Sequence, residues 1–277
     1  MQPGEPSRTA LAAARHRAAH QLLEQGRIFT DPLALRILGE NPQAIVDGAQ
    51  SDVSRRMRIF IAARTRFAED TLAAAIARGV TQLVVLGAGL DTFAYRGGYP
   101  DTLRIFEVDH PATQAWKRQR LADAAIAVPP ALTFAPIDFE RETLSAGLAA
   151  AGFDPAHPAF FIWLGVVPYL TPEAVRATLR FIANLPNPAH VVFDYSDPPD
   201  SLPPEMRVLY EARAARVAAL GEPWVNHFEA DALRAQLTET GFKTIEDLGP
   251  REIAARWFPD RAASAPARGG HILYAAT

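Results

Sequence analysis

The fold of this chain is decided by one short stretch, which reads Leu83-Val84-Val85-Leu86-Gly87-Ala88-Gly89-Leu90-Asp91-Thr92. Its four leading apolar residues predict a buried strand, and the Gly-x-Gly pair that follows predicts a tight turn. Glycine has no Cβ, so the backbone at Gly87 and Gly89 can approach a ligand closely. The stretch therefore indicates a strand followed by a ligand-binding turn.

On both sides of this turn, short apolar runs alternate with helical patterns. Strands are predicted at 82–86, 103–108, 132–137, 159–164 and 189–195, with helices at 112–124, 141–151 and 172–185 between them. This alternation is typical of βαβ units and a parallel sheet, hence of an α/β fold.

The remaining segments suggest one elaborated domain over residues 1–277. Residues 1–79 are predicted to be helical, with helices from Ser7 toward Gly26, at 32–38 and at 53–78, and residues 80–196 form the βαβ core. Residues 197–228, which open with a proline-rich break, are interpreted as a lid insertion after the fifth strand that covers the substrate. Residues 229–277 give a helix, a strand at 243–248, an irregular segment and a last strand at 271–275.

The turn is poorly suited to a diphosphate. A dinucleotide-binding fingerprint requires a third glycine where Thr92 stands, and Asp91 places a carboxylate just beyond the turn. The sequence therefore disfavours an anion cradle at this position.

Acidic residues follow the next two strands. Glu107 and Asp109 lie 20 and 22 residues beyond Gly87, a spacing typical of a carboxylate that accepts hydrogen bonds from ribose hydroxyls. Side chains alternate along a strand, so both carboxylates point the same way and Asp109, nearer the carboxyl end, is favoured. Asp138 and Phe139 follow the third strand and pair an acceptor with an aromatic ring, as an adenine pocket requires.

These features fit S-adenosyl-L-methionine better than NAD. The adenosine of this cofactor needs ribose and adenine contacts, its amino-acid tail needs turn amides and a counter-charge, and its sulfonium tolerates carboxylates nearby. We therefore predict a nucleoside site for this cofactor along the carboxyl edge of the sheet.

The composition excludes several classes of protein. The 277 residues contain no cysteine, which removes disulfides, thiolate nucleophiles and cysteine-ligated metals. The net charge of -3 and the lack of a basic block argue against nucleic acid as a partner. The longest apolar run, 159–167, is about half of a membrane span, and the N-terminal residues lack an apolar signal core. A cytoplasmic, soluble protein is expected.

Several motifs together resemble the leucine carboxyl methyltransferase family, in its bacterial branch, among class I S-adenosylmethionine-dependent methyltransferases. They span nearly the whole chain: Arg17-Ala18-Ala19-His20, Asp31-Pro32-Leu33-Ala34, Ala63-Arg64-Thr65-Arg66-Phe67, residues 86–96, Phe106-Glu107-Val108-Asp109-His110-Pro111 and Pro168-Tyr169-Leu170-Thr171-Pro172-Glu173. The resemblance implies a Rossmann-like sheet of seven strands, mostly parallel, whose final hairpin is antiparallel.

The resemblance also implies roles for individual residues. Arg64 would bind the carboxylate of the cofactor, Gly87 its methionine part, Asp109 the ribose, and Asp138 with Phe139 the adenine. Arg17 is similar to the family's N-terminal basic cofactor contact, and Gly89 belongs to the same turn as Gly87. Many relatives carry a glutamate where this chain has Leu164, so Asp91 or a carbonyl near Gly87 is expected to replace it beside the amino group.

The chemistry of the acceptor stays open at this point. A carboxylate acceptor is ionised at neutral pH and needs no general base, whereas a hydroxyl needs one. Tyr169 is the candidate catalytic residue, because the family has a tyrosine there. Further candidates for substrate contact are Tyr195, Arg207, Arg213, Arg216, Trp224 and His227. His16 and His20 have helical i,i+4 spacing but no third partner, so no metal site is predicted.

Three functions follow as alternatives. The favoured one is an O-methyltransferase acting on a carboxylate or hydroxyl of a small molecule or peptide end. The second is an NAD-dependent oxidoreductase, which Thr92 and the predicted C-terminal hairpin disfavour. The third is a non-catalytic protein that binds S-adenosylmethionine, an alternative that Leu164 leaves open. The sequence predicts no oligomeric state.

Overall fold

The structure, a computed structural model, describes residues 7–138 and 142–277, apart from the side chain of residue 261. The chain divides into two compact units. The first unit runs to Arg66 and resumes from Val80 to Asp154, and the second comprises Phe67–Gly79 and Pro155–Thr277.

The N-terminal part of the first unit is helical. Its helices are α1 Arg8–Leu23, α2 Ala34–Leu38, α3 Pro42–Gly48 and the first part of α4 Asp52–Ile76. Ser7 caps α1, because its Oγ accepts a hydrogen bond from the Ala10 amide at 3.1 Å. Small residues of α1, among them Ala14 and Ala18, pack with residues of α2 in a shared apolar cluster.

The rest of the first unit alternates strands and helices. The strands are β1 Gln82–Leu86, β2 Arg104–Asp109 and β3 Leu132–Pro136, and the helices are α5 Phe93–Arg96, α6 Pro111–Asp123 and α7 Leu144–Ala150. The strands pair in parallel, with Leu86 opposite Val108 and Asp109 opposite Pro136. All residues of β1 are buried, as expected for a parallel strand with both faces covered.

The second unit combines parallel and antiparallel pairing. In chain order it contains β4 Ala159–Trp163, α8 Pro172–Ala183, β5 Ala189–Ser196, α9 Pro204–Ala219, α10 Ala230–Thr240, β6 Thr244–Leu248, α11 Pro250–Trp257 and β7 Gly270–Ala276. Short 3-10 turns cover Val167–Tyr169, Pro199–Ser201 and Pro259–Ser264. β4 and β5 pair in parallel, whereas β7 is antiparallel to both β5 and β6.

The strands form a seven-stranded sheet in the order β3-β2-β1-β4-β5-β7-β6. This arrangement confirms the predicted α/β fold, with its mostly parallel sheet and antiparallel final hairpin. Three short helices, α3, α5 and α11, were not predicted, and the segment expected to be irregular contains α11. Such helices have only one or two turns, which is too short for a clear apolar period. α2 begins at Ala34 rather than at residue 32.

Among the described residues, no helix combines the length and the apolar character that crossing a membrane requires.

Candidate cofactor-binding site

The turn after β1 is held against the end of β2 by the backbone. The amides of Gly87 and Ala88 both donate to the carbonyl of Val108, at 2.8 and 3.0 Å. Gly87 and Gly89 have φ angles of 66° and 45°, in the left-handed region that favours glycine. The predicted tight turn is therefore present, and two of its residues need the conformational freedom of glycine.

Gly89 is also required by the close approach of α1. A Cβ on this residue would lie 3.0 Å from the Cβ of Ala10, which is tighter than ordinary contact. Because Gly89 lacks a side chain, the turn and the first helix can approach this closely, and an added methyl group would require Ala10 to shift by a few tenths of an ångström.

Asp109 ends β2 beside this turn. Its Oδ2 accepts a hydrogen bond from the Gly89 amide at 2.6 Å, and its Oδ1 accepts one from the His110 amide at 2.7 Å. Burial raises the pKa of Asp109, and these two hydrogen bonds act against that rise. The carboxylate is thus fixed in place at the turn, and each of its oxygens keeps capacity for a further hydrogen bond.

Glu107, the alternative acidic residue on β2, has other partners. Its Oε2 lies 2.8 Å from Nζ of Lys117 and accepts a hydrogen bond from the Tyr95 hydroxyl at 3.0 Å. The side chain of Glu107 is 1% exposed, so it faces the interior. This geometry supports the choice of Asp109 over Glu107 as the carboxylate available to a ligand.

Asp91 and Thr92 stabilise the end of the turn. The Oδ1 of Asp91 accepts a hydrogen bond from the Phe93 amide at 2.8 Å, at the start of α5. The hydroxyl of Thr92 donates to Oδ2 of the buried Asp31 at 2.7 Å. Thr92, which disfavours a dinucleotide fingerprint, thus ties the turn to the segment before α2.

Arg17 belongs to the same network. Its Nε lies 2.8 Å from Oδ2 of Asp31, and its Nη2 donates to the carbonyl of Leu90 in the turn. The residue is 7% exposed. The sequence predicted Arg17 as a cofactor contact. Asp31 also accepts a hydrogen bond from the Leu33 amide at 3.0 Å, and its pairing with Arg17 and Thr92 was not predicted.

The other predicted cofactor residues lie in different parts of the first unit. Arg64 is buried in α4, and its guanidinium carbon lies 5.9 Å from the ring centre of Phe60. Asp138 follows β3, next to Ile137, whose amide donates to the carbonyl of Asp109 at 2.9 Å. Phe139 lies outside the described residues.

Tyr169, the predicted catalytic residue, lies in the second unit at the end of the turn Val167–Tyr169, and it is half-buried. The adjacent carbonyl of Pro168 accepts hydrogen bonds from the amides of Val225 and Asn226, at 2.8 and 3.3 Å. The segment after α9 is therefore bonded to the loop that carries Tyr169. Leu164, where relatives have glutamate, is half-buried directly after β4.

Tyr195 has internal partners that make it a poor general base. Its hydroxyl donates to Oδ2 of Asp247 at 2.6 Å and lies 3.1 Å from Nδ1 of His271. Burial raises its pKa, and the hydrogen bond to Asp247 raises it further.

His227 contacts the hydroxyl of Tyr210 through Nε2, and burial lowers the pKa of His227. Trp224 packs on the Tyr210 ring with ring centres 5.3 Å apart, and the Arg213 guanidinium lies 5.0 Å from the Trp224 ring centre. The predicted substrate candidates Arg213, Trp224 and His227 therefore lie in one aromatic cluster with Tyr210.

In the described part of the chain, the histidines of α1 are not part of a group of side chains that could bind a metal ion. His20 is fully buried, faces Glu24 through Nδ1 at 3.3 Å and accepts a hydrogen bond from the Ile28 amide at 3.4 Å. Across the described residues, no group of three or more His, Asp or Glu side chains is arranged to hold a metal ion.

The donor set at the turn suits a nucleoside rather than a diphosphate. The Gly89 amide, which would cradle a phosphate, is bonded to a carboxylate, and Asp91 adds a second acidic group. Carboxylates repel phosphate but accept hydrogen bonds from ribose hydroxyls. The residues present therefore fit a cofactor made of a nucleoside and a cationic group.

Comparison with known families supports the resemblance found in the sequence. Residues 10–183 match the family model described as leucine carboxyl methyltransferase.

Two relatives are named as methyltransferases. The protein named "Putative S-adenosyl-L-methionine-dependent methyltransferase YktD", from Bacillus subtilis, is 30% identical over 94% of this chain and 94% of its own. A second "Putative S-adenosyl-L-methionine-dependent methyltransferase", from Frankia alni, is 37% identical over 64% of each chain.

A solved structure shares the fold at low sequence identity. A protein from Nostoc punctiforme described as a "putative O-methyltransferase" aligns with a TM-score of 0.51 and 9% identity, over 94% of this chain and 72% of that protein. At this identity the likeness is one of fold alone.

Proposed function

The chain belongs to the leucine carboxyl methyltransferase family, and on that premise we propose that this S-adenosylmethionine-dependent methyltransferase methylates an oxygen. The acceptor is the carboxylate or hydroxyl of a small molecule or of a peptide end. Nucleic acid is not the substrate, because the chain has neither a basic block nor a positive net charge.

One observation carries the cofactor assignment within this proposal, namely the carboxylate of Asp109 bonded to the amide of Gly89 at 2.6 Å. This hydrogen bond places the carboxylate at the end of β2 next to the glycine turn. The carboxylate suits the ribose of the cofactor, and the turn suits its amino-acid tail. In the proposed complex, the ribose hydroxyls donate to the free lone pairs of Asp109. Gly87 has no side chain, so the methionine part can approach the backbone of the turn there.

The remaining contacts of the cofactor follow the family pattern. Arg64 pairs with the methionine carboxylate, and Asp138 and Phe139 hold the adenine. Many relatives have a glutamate at the position of Leu164, and in this chain Asp91 supplies the negative charge near the amino group instead. Arg17 acts on the same site by fixing the carbonyl of Leu90 in the turn, in addition to any direct contact.

When bound, the cofactor supplies a methyl group on a sulfonium, and the protein's part is to align the acceptor oxygen with it. Alignment of this kind contributes up to about 7 to 11 kcal/mol in well-oriented systems. A carboxylate acceptor fits the residues best, because it needs no proton acceptor and the Tyr195 hydroxyl is committed to Asp247. Tyr169 orients the acceptor.

The test is transfer of label from S-adenosylmethionine that carries a tritiated methyl group, with small carboxylic acids, phenols and short peptides as acceptors. Methyl esters release labelled methanol in base, whereas ethers and amines retain the label. We expect base-labile product that disappears on boiling the enzyme. Base-stable product would overturn the carboxylate assignment, and absence of transfer to any acceptor would favour a non-catalytic binding protein.

A further inference from the structure

One side-chain amide in the second unit is buried without a partner. Asn226 lies in the extended segment between α9 and α10 and is 4% exposed, and its Nδ2 has no hydrogen-bond partner among the described residues. The preceding residue, Val225, is 50% exposed, so the segment turns the Asn226 side chain inward. A buried donor left unpaired is destabilising, and most buried polar groups in folded proteins are paired.

Backbone hydrogen bonds fix Asn226 at the carboxyl ends of two neighbouring strands. The amide of Asn226 donates to the carbonyl of Pro168 at 3.3 Å, and the amide of Phe228 donates to the carbonyl of Ser196 at 3.2 Å. Pro168 follows β4, and Ser196 ends β5, the parallel neighbour of β4. Ligands of open α/β sheets bind outside the carboxyl ends of the strands. Asn226 is therefore bonded to the loop that carries Tyr169, at the edge where a ligand is expected.

The side chains that follow Asn226 have partners within the unit. His227 contacts the hydroxyl of Tyr210, and Phe228 packs edge-on against Tyr195 with ring centres 6.1 Å apart. These contacts and the backbone hydrogen bonds hold the segment without any bond from the Asn226 side chain. An apolar side chain of similar size would fill the same space with no unpaired donor. The amide is thus better explained by a ligand than by the stability of the fold.

We propose that Asn226 binds the methyl acceptor, and that its side-chain amide donates a hydrogen bond to one carboxylate oxygen of the substrate. The inference rests on the proposed function, because it takes a carboxylate as the group that is methylated. It adds a residue that recognises this group in the segment bonded to the Tyr169 loop.

A carboxylate has the two oxygens that this role requires. One oxygen forms a bond to the methyl carbon while the carbon–sulfur bond breaks and its electron pair stays on sulfur, so no proton is transferred. The other oxygen becomes the carbonyl oxygen of the ester and can accept the hydrogen bond of Asn226 before and after the transfer. A hydroxyl acceptor has a single oxygen, which would have to accept this bond and attack at the same time.

The experiment measures methyl transfer and thermal stability in the same set of proteins. The donor is S-adenosylmethionine with a tritiated methyl group, and the acceptors are benzoate, hexanoate and short peptides with a free carboxyl end. KM is determined for the donor and for the acid that the wild type methylates fastest. The proteins are the wild type, Asn226→Leu, Asn226→Asp and the control Asn184→Leu, at an exposed position after α8. If Asn226→Leu does not fold, Asn226→Ala removes the same donor with a smaller side chain.

We expect Asn226→Leu to raise KM for the acid by about tenfold or more, the effect of losing one hydrogen bond to a charged group. KM for S-adenosylmethionine should stay unchanged. The thermal midpoint should equal or exceed that of the wild type, because an unpaired donor has been removed. Asn226→Asp should raise KM for the acid further, because two carboxylates repel each other.

An unchanged KM for the acid in the folded variants would overturn the inference, and base-labile product would then leave the proposed function intact. A rise that is equal for the acid and for S-adenosylmethionine, or that also occurs in Asn184→Leu, would overturn it in the same way. A wild type that forms no base-labile product from any acid would overturn both.

Discussion

At the scale of single residues, the candidate site depends on Gly89 and Asp109. Gly89 combines a φ of 45° with a Cβ position 3.0 Å from Ala10, and Asp109 bonds to its amide. A change at Gly89 therefore disturbs the turn, the packing of α1 and the carboxylate at the same time.

Gly89→Ala should lower the free energy of unfolding by roughly 1 to 3 kcal/mol, because the left-handed backbone and the contact with Ala10 both become strained. Affinity for S-adenosylhomocysteine should fall as well. The control is Gly48→Ala in α3, where, among the described residues, no atom beyond the chain neighbours and the helix's own backbone lies within 4 Å of the added methyl group. Chemical denaturation that shows no difference between the two variants would contradict the strain at Gly89.

Residue types and spacing give candidate residues for the site but not the contacts that support them. Asp109 was favoured over Glu107 by its place at the strand end, and the partners of Glu107 agree with that choice. The contact of Thr92 with Asp31 joins residues 61 positions apart, and no local pattern reveals which distant residues will pair. The sequence signal at this position is a threonine where a dinucleotide fingerprint has glycine, and that signal alone does not identify Asp31 as its partner.

At the scale of elements, the strands were predictable as short apolar runs, and the long helices as the stretches between glycine and proline boundaries. β1, β2 and β4 differ from the predicted ranges by one residue at most at either end, whereas the short helices α3, α5 and α11 were missed. One or two turns give too few repeats for a period, and their formation depends on packing that the sequence does not display.

The C-terminal hairpin contains a buried histidine between two carboxylates. Nδ1 of His271 lies 3.0 Å from Asp247, and Nε2 lies 3.2 Å from Asp197, which also accepts a hydrogen bond from the Gly269 amide. Burial lowers the pKa of His271, but the hydrogen bonds and charges of Asp247 and Asp197 outweigh it, so the pKa is raised above 6.5. His271 is therefore a titratable side chain on β7 that contacts Asp247 on β6 and Asp197, the residue that follows β5.

The hairpin should make stability depend on pH. Because the pKa of His271 is raised in the folded protein, its contribution is fully present below about pH 6.5 and is lost as pH rises through the folded pKa. The unfolding free energy of the wild type relative to His271→Asn should therefore be largest in mild acid. The exposed His157→Asn serves as the control, and a difference that stays constant with pH would contradict the assignment.

At the scale of the whole molecule, the composition excludes some classes of function, and the strand order defines the fold class. The absence of cysteine and the net charge of -3 exclude cysteine chemistry and argue against a basic surface for nucleic acid, but they leave other classes of enzyme open. The order β3-β2-β1-β4-β5-β7-β6 agrees with the seven strands that the resemblance implied. The acceptor could not be predicted, because shape and charge complementarity to a substrate arise from side chains far apart in the sequence.

The substitution Asp109→Ala tests the central claim, that this carboxylate holds the ribose of an S-adenosyl cofactor. Hydrogen bonds to a charged group contribute about 1.5 to 3 kcal/mol each, so losing them should weaken S-adenosylhomocysteine binding by well over about tenfold. The matched control is Asp101→Ala, on an exposed turn.

The most direct measurement is calorimetric titration of the wild type and Asp109→Ala with S-adenosylhomocysteine and with NAD, with circular dichroism as the check on folding. We predict that the wild type binds S-adenosylhomocysteine and not NAD, and that the folded variant loses most of this affinity. Undiminished binding by Asp109→Ala, or binding of NAD by the wild type, would contradict the account.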